Sequence, residues 1–139
     1  MAAATASREA LTKAGDVVRY PVAAAQHLYK GTLIVLNAAG YLEAGTDAAG
    51  KVFAGVAYEA SNNSGGASGN TTCTVYKTGT FVFGAGAAAT QAWVGQQACL
   101  VDDQTVALAA TTTNDIAVGF IVEVLSASQV RVRIDRAVG

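Results

Sequence analysis

The sequence predicts an all-β fold, a small β-barrel or β-sandwich with a mobile N-terminal arm and one short helix. Eight or so short apolar runs recur along the chain with period-two alternation, and clusters of glycine, asparagine, serine and alanine separate them. Only one stretch after residue 14 breaks that β texture. Hydrophobic residues make up 52% of the 139 residues, but 30 of them are alanine, so the bulky core is modest and suits one domain.

Taken in order, residues 1–14 (MAAATASREALTKA) hold Leu11 as their one large apolar residue after Met1, and a single leucine does not anchor a helix to a core. The expectation is a flexible arm over 1–14 and a single β domain over 15–139. In GDVVRYPV, Val18, Tyr20 and Val22 share a face, and Pro21 marks an edge or a strand end. GTLIVLNAAGYLEAG reads as a hairpin turning at Ala39-Gly40. KVFAGVAYEA is a further strand, in which Gly55 signals a bulge or a close backbone approach. Residues 61–70, SNNSGGASGN, have no bulky side chain and read as a flexible loop.

TTCTVYKTGTFVFG sets Thr72, Thr74, Tyr76, Thr78 and Thr80 against Cys73, Val75, Lys77, Gly79 and Phe81, a long strand or a bent pair. The break in β texture is AGAAATQAWVGQQ, where Thr90 as N-cap and Gly95 as stop predict one helical turn carrying Trp93. ACLV and TVALAA are strands joined through Asp102-Asp103. In AVGFIVEVL, Val118, Phe120, Val122 and Val124 are expected on one face. QVRVRIDR alternates most cleanly, with Val130, Val132 and Ile134 opposite Arg131, Arg133 and Asp135.

Asp102-Asp103 is the strongest candidate for chemistry. Neighbouring strand residues face opposite sides, so the two acids cannot readily share a metal, and LVDDQTV fits a turn instead. His27 is the only histidine, which leaves no histidine-rich metal site within one chain. Cys73 and Cys99 lie far apart in strand-like runs and read as two buried thiols rather than a disulfide or an activated nucleophile. The glycines of 61–70 have no lysine within the loop and no helix after it, so they do not form a phosphate cradle. Arg131 and Arg133 read as a solvated strand face or as a polar contact to a neighbouring subunit. The sequence therefore predicts no enzyme: no catalytic, metal or cofactor-binding residue is assigned, and no cofactor is expected.

Charge excludes further classes. Only 14% of residues are charged and the net charge is −1, with no basic block to neutralise phosphates, so no direct nucleic-acid partner is expected. No stretch approaches a membrane span and the N-terminus lacks an apolar signal core, so the reading is a soluble protein made in a cytoplasm, with no membrane partner. A small, neutral surface suits burial against other subunits.

The succession of motifs resembles a family. GDVVRYPV is followed by KGTLIVL, by GY and a polar turn, by GVAYEASNNSGGASGN, by GTFVF, by ATQAWVGQQACLVDDQTVAL and by AVGFIVEVLSASQVRVRID, over about residues 15–136. This order is similar to that of the small head decoration proteins of tailed bacteriophages, also called capsid cement or stabilisation proteins. The resemblance implies a structural role on the virion, at the outer capsid surface of the expanded head. It implies a homo-oligomer, with a trimer favoured, bridging neighbouring copies of the major capsid protein. The arm lies outside the resemblance. The runner-up is a β-rich carbohydrate-binding or virion/cell-surface adhesion module, with Trp93 beside Gln91, Gln96 and Gln97 as its sugar platform.

Overall fold

The computed structural model describes residues 5–7 and 15–134. The arm expected over 1–14 lies outside the described residues apart from 5–7, as do Asp135 and Arg136. The first half of the domain supplies β1 (Val17–Pro21), β2 (Gln26–Leu28), β3 (Leu33–Leu36), β4 (Leu42–Ala44), β5 (Val52–Ala57), β6 (Ser61–Asn63) and β7 (Thr72–Tyr76). Of these, β1-β7-β5-β3-β4 form one antiparallel sheet in that order, and β2 pairs with β6 as a separate ribbon. The second half supplies β8 (Thr80–Ala85), β9 (Gln97–Asp102), β10 (Thr105–Leu108), β11 (Ala117–Ser126) and β12 (Gln129–Arg133), which close into a barrel in the order β10-β8-β12-β11-β9. The fold is all-β, and it combines a closed barrel with a sheet.

The continuous run Leu33-Ile34-Val35-Leu36 explains how the two parts join. Every residue of β3 is buried, because the strand is covered on both sides. Leu33 and Val35 pack into the barrel cluster with Phe83, Leu100, Ile121, Val130 and Val132. Ile34 and Leu36 face the other way, into a second cluster with Val22, Leu28, Leu42, Cys73 and Val75. Burying each such side chain is worth roughly 1.5–3 kcal/mol. A parallel bridge between Val22 and Leu42 brings the chain after β1 beside the far edge strand, so the sheet curls around this second cluster.

The hairpin at Ala39-Gly40 forms as the sequence predicts, with Gly40 at φ 87° and the Asn37 side-chain carbonyl accepting from the Ala39 and Tyr41 amides. Gly55 also behaves as read. It sits at φ 147° where β3 and β5 slip register, and a Cβ there would lie 2.1 Å from the Tyr76 carbonyl oxygen. The stretch from Thr72 resolves as a bent pair: β7 belongs to the sheet, β8 to the barrel, and Gly79 at φ 116° lies in the link.

Two expectations are corrected and one is refined. Residues 61–70 are not simply a flexible loop. Ser61–Asn63 is a strand, and the buried Asn63 amide donates to the carbonyls of Val22, Ala23 and Ala67 at 2.9–3.2 Å, knitting the glycine-rich turn to the sheet. The expected helical turn carrying Trp93 forms as a single 3-10 turn, Gln91–Trp93, with Thr90 at its N-cap position but making no side-chain cap bond. Finally, Val118, Phe120, Val122 and Val124 do not share a face. Register breaks between Ala117 and Gly119 and between Ile121 and Glu123 change the phase of β11, so Val118, Ile121 and Val124 turn toward the core while Phe120 and Val122 turn out.

Candidate functional site

Asp102-Asp103 is a turn. The Asp102 carboxylate accepts from the Gln104 amide at 2.8 Å, and the Asp103 carbonyl accepts from the Leu33 amide at 2.8 Å, which ties the β9–β10 hairpin onto the sheet. Burial, and then the neighbouring Asp102, push the Asp103 carboxyl above the usual range. His27 is exposed on β2 and stacks on Tyr29 with ring centroids 4.3 Å apart. Cys73 and Cys99 are free and buried; burial, with the Glu59 carboxylate nearby, pushes the Cys73 thiol up to about 11. Trp93 is only 8% exposed and belongs to the barrel core. Among the described residues, no group of three or more His, Cys, Asp or Glu side chains converges to hold a metal ion.

Two clefts stand out on the surface of the described residues. One, of about 410 Å³, runs between Lys51–Phe53 and Asn114–Ala117. Its ionic groups are engaged: Lys51 pairs with Glu43, and Asp115 accepts from the Ala110 amide at 3.0 Å and the Thr112 hydroxyl at 2.7 Å. Beside it, the Asp47 carboxylate clasps the Thr113 and Asn114 amides at 2.8 and 3.0 Å, and the Thr113 bond leads the hydrogen bonds that hold its pKa below the usual range. The second cleft, about 270 Å³, is polar and lined by Lys30, Thr32, Gln104 and Gln129 among others. Neither sets a nucleophile beside a base.

The distinctive surface is the outer wall of the barrel across β8, β12 and β11. Register aligns its side chains in two rows: Val82, Arg131 and Glu123 in one, Thr80, Arg133 and Phe120 in the next. Val82 is 38% exposed, Phe120 39% and Val122 42%, and Leu125 at the end of β11 is 46% exposed. Arg131 Nε donates to Glu123 Oε1 at 3.1 Å in the middle of this apolar strip. The sequence reading located Arg131 and Arg133 here but assigned Phe120 and Val122 to a common face with the buried Val118. An isolated glycine within a strand, Gly119, is the signal that points to the bulge.

A second feature is Lys77, whose partners the sequence does not reveal. It continues the inward face of Cys73 and Val75, and its buried amine donates to the Ala54 carbonyl and to the Tyr20 hydroxyl. Burial pushes its pKa down to about 8.

No helix among the described residues is long and apolar enough to cross a membrane. No protein-family model, curated protein or solved structure matches this chain.

Proposed function

We propose that this chain is a capsid decoration protein of a tailed bacteriophage. It binds the outer surface of the expanded head as a homo-oligomer, a trimer in the favoured form, and bridges neighbouring major capsid subunits. The observation that carries the reading is the order of motifs over residues 15–136, from KGTLIVL through VDDQTV to QVRVRID. A rigid β body with an apolar outer strip is compatible with it: a preformed surface loses little freedom on docking, and weak contacts repeated around a shell add through avidity. The carbohydrate alternative loses support because Trp93, its platform, is packed into the core.

The test is a protein inventory of purified, DNA-filled particles of the phage that encodes this chain, by gel densitometry with mass spectrometry. A copy number comparable with that of the major capsid protein is expected. A handful of copies points to a tail or receptor-binding module, and absence from the particle overturns the capsid reading.

A further inference from the structure

We propose that the cleft lined by Lys30, Thr32, Gln104 and Gln129 receives one acidic side chain, a glutamate or aspartate presented by a partner protein. The partner need not be a capsid subunit, so the pocket stands apart from the decoration reading.

Four segments build the cleft, and backbone bonds fix them against one another. Lys30, Gly31 and Thr32 come from the turn between β2 and β3, and Val82, Phe83 and Gly84 from β8. Gln104 lies in the β9–β10 turn, and Gln129 starts β12. The Gly31 amide donates to the Ala57 carbonyl at 2.9 Å, and the Gly84 amide to the Gln104 carbonyl at 2.9 Å. Gln129 stands opposite Gly84 in the pairing of β12 with β8. The Leu33 amide, next to Thr32, donates to the Asp103 carbonyl, next to Gln104, at 2.8 Å. The backbone beneath Lys30, Gln104 and Gln129 is therefore in place before anything binds, and docking costs it little freedom.

The donors at this site are unspent. Among the described residues, the Lys30 amine and the Gln104 and Gln129 carboxamides have no side-chain partner. The other cleft differs, because its Lys51 and Asp115 are engaged within the chain. Lys30 is also the one charged residue among the described residues that line the site. The charged residues flanking it lie off the lining. The Asp102 carboxylate accepts from the Gln104 amide at 2.8 Å, and Arg131, two residues beyond Gln129, pairs with Glu123. Asp103 does not line the cleft either.

This donor set selects the ligand. One positive charge and two neutral carboxamides match a monoanion, and a carboxylate has about four lone-pair sites to accept from them. A phosphate is better met by a nest of free backbone amides. Here the Gly31, Thr32 and Gly84 amides already donate to the Ala57, Tyr29 and Gln104 carbonyls. A sugar wants an exposed aromatic face, and the lining ring, Phe83, is only 5% exposed. Size decides between a free acid and a side chain. The volume of about 270 Å³ falls below the roughly 300–1,000 Å³ of pockets that enclose small molecules. Lys30, Gln104 and Gln129 are exposed, so the cleft takes the end of a side chain carried by a larger body, with its methylenes against Val82.

The test is a titration of the full-length, isotope-labelled chain with N-acetyl-glutamate N-methylamide. It is followed through the side-chain amide signals of Gln104 and Gln129 in proton–nitrogen correlation spectra. Both signals are expected to shift together and saturably, with a dissociation constant on the order of millimolar for so small a probe. Lys30→Gln, at an exposed position, is expected to weaken binding about fivefold. Lys30→Glu is expected to abolish it, with the backbone signals elsewhere unchanged. The uncharged glutamine counterpart of the probe is expected to leave both signals in place. No saturable shift through tens of millimolar, equal shifts with the glutamine probe, or undiminished binding by Lys30→Gln overturns the proposal. Tighter binding of inorganic phosphate at matched ionic strength overturns it as well. Each of these outcomes is independent of the copy number found in phage particles.

Discussion

Lys77 illustrates how one residue couples strand chemistry to pH. Its amine lies 5.1 Å from the Tyr20 ring centroid and donates to the Tyr20 hydroxyl at 3.1 Å, joining β1 to β7. With a folded pKa near 8, well below the usual lysine range, Lys77 releases its proton in the folded chain while the unfolded chain keeps it. The unfolded state then binds more protons, so this group raises stability with pH from about 8 up to the ordinary lysine pKa of about 10.4, and the cost of its charge is complete below that window. The Cys73 thiol, raised to about 11, acts oppositely, because the unfolded chain loses its proton first. The comparison of wild type with Lys77→Met therefore isolates the amine. Urea unfolding across pH 7–10.5 is expected to show wild type gaining stability relative to the variant above about pH 8; a constant difference refutes the role. Asp103 gives a second case. Its raised carboxyl pKa favours folding when protonated, and that contribution is lost as pH rises through the folded value. Asp103→Asn is expected to be more stable than wild type at pH 7, with the advantage shrinking as pH falls through the raised folded value and Asp103 takes up its proton. The sequence placed Lys77 on a face with Cys73 and Val75, so its inward direction was legible; its hydrogen-bond partners, 23 and 57 residues away, were not.

At the scale of elements, glycines govern the departures from regular pairing. A Cβ at Gly119 would lie 1.8 Å from the Arg133 carbonyl oxygen and 2.8 Å from its carbon. These are backbone atoms of the paired strand and cannot swing aside, so Gly119→Ala must force β11 from β12. The expected loss is about 3 kcal/mol or more, measured by urea or thermal unfolding; a melting temperature within about 2 °C of wild type contradicts the close approach. Alternation located β12 correctly, since its five residues pair without a slip to β8, and Val130 and Val132 are buried. It failed for β11, whose pairing slips at three places, because a period-two pattern assumes a phase that bulges reset. Residues 61–70 misled for another reason. Small polar residues read as loop by composition, but the buried Asn63 donates to three backbone carbonyls and thereby holds the β2–β6 ribbon in place.

Across the whole molecule, the sequence supplied strands and turns but not their partners. β7 and β8 are adjacent in the chain yet lie in different sheets, and the aromatic contacts Tyr76–Phe81 at 5.2 Å and Phe81–Phe83 at 6.4 Å span that change. The sheet and the barrel are physically one body through β3, buried on both faces, through the backbone bond from Leu33 to Asp103 and through the bridge between Thr46 and Asp102. Leu33 and Phe53 of the sheet lie within the barrel cluster, so opening the barrel strips apolar cover from the sheet. This argues for a single cooperative transition, and the two cysteines report on it. Cys73 belongs to the cluster inside the curled sheet, and Cys99 lies buried on β9 of the barrel. Both thiols have raised pKa values through burial and so react slowly while folded. Their modification rates in increasing urea, followed by peptide mass spectrometry under conditions where closing outpaces labelling, give an opening free energy for each. Equal values and equal urea dependences are expected for the two sites. A gap larger than about 1 kcal/mol would mean that the sheet and barrel open separately, and that covering β3 on both sides does not couple them.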